Sequence, residues 1–198
     1  MTDLVLASRN QGKLAELQAL LAPLHWRLRA ISEFDAEAPE ESAPSFVENA
    51  LLKARHAARV SGLPAIADDS GLEVAALDGA PGVRSARYAG EGAGDAANNQ
   101  KLLDALKRVP DGSRGARFVA VIVYLRHPDD ATPVIAQASW RGSILHNPHG
   151  SRGFGYDPLF YVPEFKCSAA ELDPETKNRV SHRGKAARHL YSMIHDGA

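Results

Sequence analysis

Two long runs of β-branched and aromatic residues constrain the fold of this chain more than any other feature. They cover residues 116–127, ARFVAVIVYLRH, and residues 133–144, PVIAQASWRGSI, and the short segment PDDAT joins them. Such residues favour strands, and two runs with a short polar connection predict an antiparallel hairpin. The longest apolar stretch, FVAVIVYL, has eight residues and is too short to cross a bilayer. We therefore expect these strands to lie in the core of a globular protein.

The N-terminal part alternates strands with helices. An apolar run at residues 4–7 predicts a buried strand, and leucines at helical spacing after it predict a helix that Pro23 closes. Residues 26–31 predict a second strand. Ser45 and Glu48 form the capping box S-x-x-E of a second helix. Strands that alternate with helices indicate an α/β fold.

The rest of the chain adds helices and glycine-rich loops to this pattern. Residues 65–67 predict a buried strand that ends at a pair of aspartates, and residues 98–109 predict a helix. The tail KAARHLYSMI, residues 185–194, has helical spacing, and Ser181 and Gly184 predict a turn before it. Composition does not shift at any linker, so we expect one mixed α/β domain over residues 1–198, with a central cleft.

Composition excludes several classes of protein. The net charge of the 198 residues is −1, which gives no overall electrostatic attraction to nucleic acid. Cys167 is the single cysteine, so an intramolecular disulfide and a Cys-rich zinc site are both excluded. The N-terminus MTDLVLAS is too short and too acidic for a signal peptide. We expect a cytoplasmic protein with no nucleic-acid or membrane partner.

The stretch PAIADDSGLEV, residues 64–74, places two carboxylates side by side between apolar residues. Adjacent carboxylates repel each other, and Asp68 and Asp69 together could hold Mg²⁺, which prefers oxygen ligands, or orient a water for attack on phosphorus. Asp, Ser and Gly also favour turns, so an ordinary turn is an equal alternative. Glu40 and Glu41 supply further carboxylates in an acidic loop, where simple solvation is the plainer interpretation.

Three other stretches have a chemical and a structural interpretation. ASRNQGK, residues 7–13, joins a strand to a helix start, where free N–H groups attract anions, but it also fits an ordinary turn. GFGYDP, residues 153–158, leaves a face of Phe154 open for base stacking, or buries it as an aromatic plug. KNRVSHRGK, residues 177–185, suits phosphates or carbonyl oxygens, or forms a solvated basic face. Together, acidic, basic and aromatic groups describe a nucleotide site.

In six motifs along its length, the chain resembles the inosine/xanthosine triphosphate pyrophosphatases, also known as the Ham1-like or RdgB-like proteins. The matching motifs run in family order from residue 7 to residue 183 and are SRNQGK, FVENALLKA, ADDSGL, GVRSARYAG, GFGYDP and SHR. The resemblance implies an elongated α/β fold with a mixed sheet, flanking helices and two lobes around a central cleft. It also implies a homodimer that hydrolyses ITP, dITP and XTP to the monophosphate and pyrophosphate with Mg²⁺, and so removes deaminated purines from the nucleotide pool.

Matching motifs carry individual roles over to this chain. Asp69 would be the general base and, with Glu41, a ligand of Mg²⁺. Phe154 would stack on the base, and His182 and Arg183 would contact the 6-oxo edge of the purine. The residues expected to bind substrate are Ser8, Arg9, Asn10, Gln11, Gly12, Lys13, Lys53, Asp68, Ser70, Phe154, Gly155, Tyr156, Asp157, Lys177, His182 and Arg183.

Two departures from the family pattern and two rival functions accompany this interpretation. Arg9 replaces a commonly small residue, and Thr176 interrupts a usually charged run. One rival is a pyrophosphatase of the Maf type that acts on modified nucleotides, although SHR and GFGYDP together are not expected there. The other is a non-catalytic nucleotide-binding protein, which would have no need for two adjacent aspartates.

Overall fold

The computed structural model describes residues 2–34, 39 and 41–195, except for the side chain of Gln11. Glu40 and part of the predicted acidic loop lie outside these described residues, so the expectation for that loop is tested only in part. Among the described residues, the strands are β1 (Thr2–Leu6), β2 (Trp26–Ala30), β3 (Ala65–Val74), β4 (Gly115–Leu125), β5 (Val134–Ile144), β6 (Phe160–Val162) and β7 (Cys167–Ser168). The helices are α1 (Gln11–Leu20), α2 (Phe46–Ser61), α3 (Asp95–Ala105), α4 (Pro174–Val180) and α5 (His182–His195).

The strands in the described part of the chain form one mixed sheet. Its order is β2-β1-β3-β4-β5-β6-β7. β1 pairs in parallel with both β2 and β3, whereas β6 pairs antiparallel with β5 and with β7. β4 and β5 are neighbours joined by residues 126–133, a connection too short for a parallel crossover. The predicted α/β class, mixed sheet and hairpin are therefore confirmed.

The chain forms two compact units. The first contains Met1–Asp69, Ala120–Ala138 and His182–Ala198, and the second contains Ser70–Val119 and Ser139–Ser181. Each of the strands β3, β4 and β5 is divided between the two units, with one part in each. Among the described residues, no helix is both long and apolar enough to cross a membrane.

The first unit packs helices α1 and α5 against buried strand residues. Leu17 and Leu21 from the α1 region and Leu190 from α5 are almost fully buried with Leu4 and Ile122. Asn10 caps α1, because its side chain accepts a hydrogen bond from the backbone N–H of Lys13.

Helix α2 begins at the capping box that its sequence predicts and ends at a glycine. Ser45 caps it by accepting from the N–H of Glu48, and Gly62 closes it in the left-handed conformation, with φ +67°. The buried face of α2 is lined mostly by small apolar residues such as Ala50, Ala54 and Ala57, and it also carries Lys53.

The second unit has its own apolar core, with Leu72, Leu102, Trp140 and Phe160 among its buried members. Phe118 packs against Phe160 with ring centroids 4.6 Å apart. Such aromatic contacts add about 0.5–1.5 kcal/mol beyond the buried area.

Arg114 in this unit is 2% exposed, and its guanidinium bonds carbonyl groups at two element ends. It donates to the carbonyls of Leu106 and Val109 after α3, and to those of Ile144 and Leu145 at the end of β5. Burial lowers the pKa of this guanidinium. The end of α3 is thereby tied to the end of β5.

Two local predictions are corrected by the structure. The strand at residues 65–67 does not end at the aspartates but runs on as β3 to Val74, so Asp68 and Asp69 lie inside a strand rather than in a turn. Cationic side chains surround both carboxylates, which allows the strand to bury them. Gly184 does not form a turn either, because α5 begins at His182 and buries Gly184 within it.

Candidate active site

The polar loop before α1 brings Lys13 to the acidic pair. Ser8 accepts a hydrogen bond from the N–H of Asn10, at 3.1 Å, and Asn10 caps the helix, so both side chains shape the helix start. Arg9 and Gly12 are exposed. The Lys13 ammonium lies 2.9 Å from Oδ2 of Asp68. The start of α1 thus places Lys13 in an ion pair with the buried carboxylate of Asp68.

Asp68 is the centre of a buried chain of alternating charges. Its Oδ2 also accepts from Nε of Arg183 at 3.2 Å, and Arg183 donates through Nη1 to Glu16 at 3.2 Å. Asp68 is 1% exposed. Burial alone would raise its pKa, but Arg183 and Lys13 outweigh that effect and hold the pKa of Asp68 well below the usual range. Asp68 therefore stays ionised and fixes the two cations.

Lys53 joins the second aspartate to the acidic loop. Its ammonium lies 2.6 Å from Oδ1 of Asp69, 3.1 Å from Glu41 and 3.0 Å from the carbonyl oxygen of Asp68. Burial favours the neutral amine, but Asp69 and Glu41 outweigh it and raise the pKa of Lys53. For Asp69, burial dominates over the attraction of Lys53, so the pKa of this carboxyl is raised.

The neighbouring aspartates thus have opposite properties. Asp68 is held as an anion, whereas Asp69 has a raised pKa, which makes it the better proton acceptor. Ser70 follows in β3 and is half-buried.

The surroundings of Asp69 fit a hard divalent cation. Its Oδ2 is buried and has no hydrogen-bond partner among the described residues, while Oδ1 shares Lys53 with the carboxylate of Glu41. Mg²⁺ commonly binds one or two carboxylates and takes its remaining ligands from water and substrate phosphates. Within the described residues, no group of three or more His, Cys, Asp or Glu is arranged as a metal site. Two carboxylates completed by phosphate oxygens fit this arrangement.

The basic stretch at residues 177–185 divides between the two units. His182 and Arg183 open α5 in the first unit and are 3% and 4% exposed, so the alternative of a solvated basic face is wrong for them. Lys177 lies on α4 in the second unit. The structure therefore brings Arg183, but not the whole stretch, into the charge cluster of the first unit.

The second unit holds the GFGYDP loop. The N–H of Phe154 donates to Oδ2 of Asp157 at 2.9 Å, and the same oxygen lies 2.5 Å from the Lys177 ammonium. That ammonium also lies 5.3 Å from the centroid of the Phe154 ring, which is within cation–π range. Phe154, Asp157 and Lys177 thus form one small cluster in the second unit.

The core aromatic of this loop is Tyr156, not Phe154. Tyr156 is 4% exposed, belongs to the apolar core and donates its hydroxyl to the carbonyl of Ser85 at 2.8 Å. Burial raises the pKa of its phenol. The aromatic-plug interpretation therefore applies to Tyr156, and Phe154 remains half-buried.

Three residues of these clusters have no role in the predictions made from sequence. Glu16 on α1 bonds Arg183, while Asp95 and Asn99 on α3 bond the backbone of Gly155 at 2.6 Å and 3.0 Å. In the sequence each resembles an ordinary polar residue on a helix surface, so no local pattern distinguishes them. Only their tertiary partners do.

Comparison with known proteins places these residues in context. The family model described as Ham1 family matches residues 4–193. A protein of Pseudomonas aeruginosa named dITP/XTP pyrophosphatase is 60% identical over 186 residues, which cover 94% of this chain and 93% of that protein. A Vibrio cholerae protein with the same name is 53% identical over 99% of this chain and 98% of its own length. The solved structure of a HAM1 protein from Coxiella burnetii has a TM-score of 0.91 and 49% identity, and the match covers 99% of this chain and 100% of that one.

Proposed function

This chain belongs to the Ham1 family, and from that membership we propose that it hydrolyses deaminated purine nucleoside triphosphates, namely dITP, ITP and XTP. The products are the nucleoside monophosphate and pyrophosphate. The activity removes deaminated purines from the nucleotide pool. We further propose a homodimer in the cytoplasm that depends on Mg²⁺ and has no nucleic-acid or membrane partner.

The observation that carries the chemistry is the environment of Asp69. A buried carboxyl with a raised pKa, one oxygen bonded to Lys53 and the other without a partner among the described residues, suits a general base. In the proposed reaction Asp69 accepts a proton from a water in line with the phosphorus next to the ribose. The water oxygen bonds to that phosphorus as its proton moves to the carboxylate, and the P–O bond to pyrophosphate breaks with its electrons leaving on pyrophosphate.

The lysines of the first unit bind and orient the triphosphate. Lys13 and Lys53 supply positive charge at a largely buried location, where electrostatic attraction to phosphate oxygens is stronger than in water. Glu41 and Asp69 would hold Mg²⁺, which neutralises phosphate charge when it is bound. Ser8, Asn10 and the first residues of α1 add hydroxyl and N–H groups close in sequence to Lys13, and these groups can also donate to phosphate oxygens.

The motif matches assign the base contacts of this proposal to Phe154, His182 and Arg183. Phe154 stacks on the purine, and stacking contributes about 1–3 kcal/mol per base. His182 and Arg183 donate to the 6-oxo group of hypoxanthine and xanthine. Adenine carries an amino donor at that position, and the mismatch leaves donors unpaired and disfavours ATP.

The decisive experiment replaces Asp69, the proposed general base, with a residue of nearly the same volume. Asp69→Asn should lower kcat for ITP by about 10²–10⁴-fold, the usual contribution of a general base. Pyrophosphate release is measured with Mg²⁺ present, and Asp129→Asn, at an exposed position, serves as the matched control. Turnover of the Asp69→Asn variant near that of the wild type would reject this role for Asp69.

A further inference from the structure

The backbone of the segment Gly153–Asp157 is held both from within the loop and from outside it. Gly153 and Gly155 both lie in the left-handed region, with φ +75° and +62°, on either side of Phe154. A glycine has no Cβ and can leave such a conformation more easily than other residues. Within the loop, Asp157 bonds the N–H and the carbonyl of Phe154, so the direction of the ring also depends on what holds the N–H and the carbonyl of the next residue, Gly155.

Helix α3 supplies that support from one face. Oδ2 of Asp95 accepts a hydrogen bond from the N–H of Gly155 at 2.6 Å, and Nδ2 of Asn99 donates to the carbonyl of the same glycine at 3.0 Å. Residues four apart on a helix lie on the same side of it. One helix face thus binds both peptide groups that flank Gly155.

The helix itself is fixed on its other sides. Asn98 is 3% exposed, accepts from the N–H of Ala89 and donates to the carbonyl of Ala86. Leu102 is fully buried, and Arg114 bonds the carbonyl of Leu106 just after the helix. The helix is therefore a rigid base from which the Gly155 backbone is held.

We propose that Asp95 and Asn99 are positioning residues that hold Phe154 in the orientation needed to stack on the purine. This inference rests on the proposed function and adds two residues to it. Neither side chain needs to touch the nucleotide. Both act through the backbone of Gly155, and their effect should depend on the presence of Phe154.

The test uses two variants that break one bond each. Asp95→Ala removes the acceptor for the N–H of Gly155, and Asn99→Asp replaces the amide donor with an oxygen of similar size that repels the carbonyl of Gly155. Each variant should raise KM for ITP by about 3–10-fold with a smaller change in kcat, as the loss of one hydrogen bond would produce. Asp104→Ala on the same helix, where Asp104 is exposed and bonds Gln100, should leave KM unchanged.

A double-mutant cycle separates positioning from general damage. In a Phe154→Ala background, Asp95→Ala should change kcat/KM for ITP by less than about twofold, because the ring that it positions is gone. Ribose 5-triphosphate, which lacks the base, should inhibit the wild type and Asp95→Ala with the same Ki. An equal loss in both backgrounds, or an equal loss of affinity for ribose 5-triphosphate, would overturn the inference.

The outcomes also distinguish this inference from the proposed function. A wild-type enzyme that releases no pyrophosphate from ITP or dITP contradicts the function itself. A wild-type enzyme that is active, with Asp95→Ala and Asn99→Asp kinetically normal, contradicts only the positioning role.

Discussion

At the scale of single residues, the adjacent aspartates show how neighbours in sequence acquire different chemistry. Asp68 bonds two cations in a buried place and has a lowered pKa, whereas Asp69 bonds Lys53 alone among the described residues and has a raised one. Lys53 is thus the residue on which the second carboxylate depends. Its ammonium also separates Asp69 from Glu41, which would otherwise repel each other.

Replacing Lys53 by methionine should affect both activity and folding. The variant keeps a side chain of similar length but leaves two carboxylates without their shared cation, so kcat for ITP should fall by about 10²-fold. The free energy of unfolding should fall by about 3 kcal/mol, the usual cost of breaking a buried ion pair. Both are measured beside Lys107→Met at an exposed position. Wild-type kcat in the Lys53→Met variant would contradict this prediction.

At the scale of elements, the close approach of β5 and β6 depends on Gly142. A Cβ at this position would lie 2.3 Å from the carbonyl oxygen of Tyr161 and 2.7 Å from the Phe160 ring. The strands must therefore separate, or the ring must move, if the glycine is replaced. A Cβ added at Gly115 in β4 would have no heavy atom within 4 Å, so this glycine provides a matched control.

Gly142→Ala should lower the free energy of unfolding by about 2 kcal/mol because of the overpacking. Gly115→Ala should change it by less than about 0.5 kcal/mol, as at most exposed positions. Urea denaturation followed by circular dichroism measures both. Equal effects of the two substitutions would show that the β5–β6 contact is not the cause.

A buried aspartate in the connection between β4 and β5 predicts that the stability of the protein depends on pH. Asp130 is 1% exposed and accepts hydrogen bonds from the Arg126 side chain and from the N–H groups of Arg126 and Thr132. These bonds lower the pKa of Asp130 below its unfolded value, so its contribution to stability is present above that value and is lost as the pH falls.

Asp130→Asn should therefore destabilise the protein at pH 7 by about 1–2 kcal/mol, within the range for hydrogen bonds to charged groups. The difference from the wild type should shrink as the pH falls below about 4, where the unfolded carboxyl becomes protonated. Asp129→Asn, whose side chain is 84% exposed, should have no such effect. A difference that stays constant down to pH 2 would contradict the assignment.

The sequence predicts regular elements well where a long pattern exists. β4 and β5 have eleven residues each, and α2 has its cap and its terminal glycine. β6 and β7 have three and two residues, too few for a periodic pattern, and they depend on neighbouring strands. Local residue preference favours a turn at Asp68. The strand β3 continues through it because Lys13 and Arg183, which are distant in sequence, neutralise its charge.

Within the candidate site, predictability follows the motifs. Asp69, Lys53 and Phe154 lie in stretches that match the family, so the motifs alone assign them roles, and those roles stay predictions. Asp95 and Asn99 act through the backbone of Gly155, about 60 residues away in the chain. No pattern of residue types reports such a contact.

At the scale of the whole molecule, each unit contains one tryptophan. Trp26 is buried in the first unit at 8% exposure, and Trp140 in the second at 3%. β3, β4 and β5 each pass from one unit into the other, so neither unit has a continuous chain of its own. We therefore predict that residues 1–198 unfold as one domain.

Variants with a single tryptophan test this prediction. Trp26→Phe leaves a probe of the second unit, and Trp140→Phe leaves a probe of the first. In each variant the fluorescence transition in urea should coincide with the transition followed by circular dichroism. A midpoint for either probe that is displaced from the circular dichroism midpoint by more than about 0.5 M would indicate two domains that unfold separately.

The guanidinium of Arg114 limits which substitutions this chain can accept. It donates to four carbonyl oxygens, and its planar fork reaches all of them at once. A lysine would keep the charge but could not span that ring of oxygens, so a replacement that is mild on most surfaces would loosen the far end of α3. Because α3 also carries Asp95 and Asn99, we expect that replacement to weaken the hold on the Gly155 backbone and so the proposed stacking of Phe154.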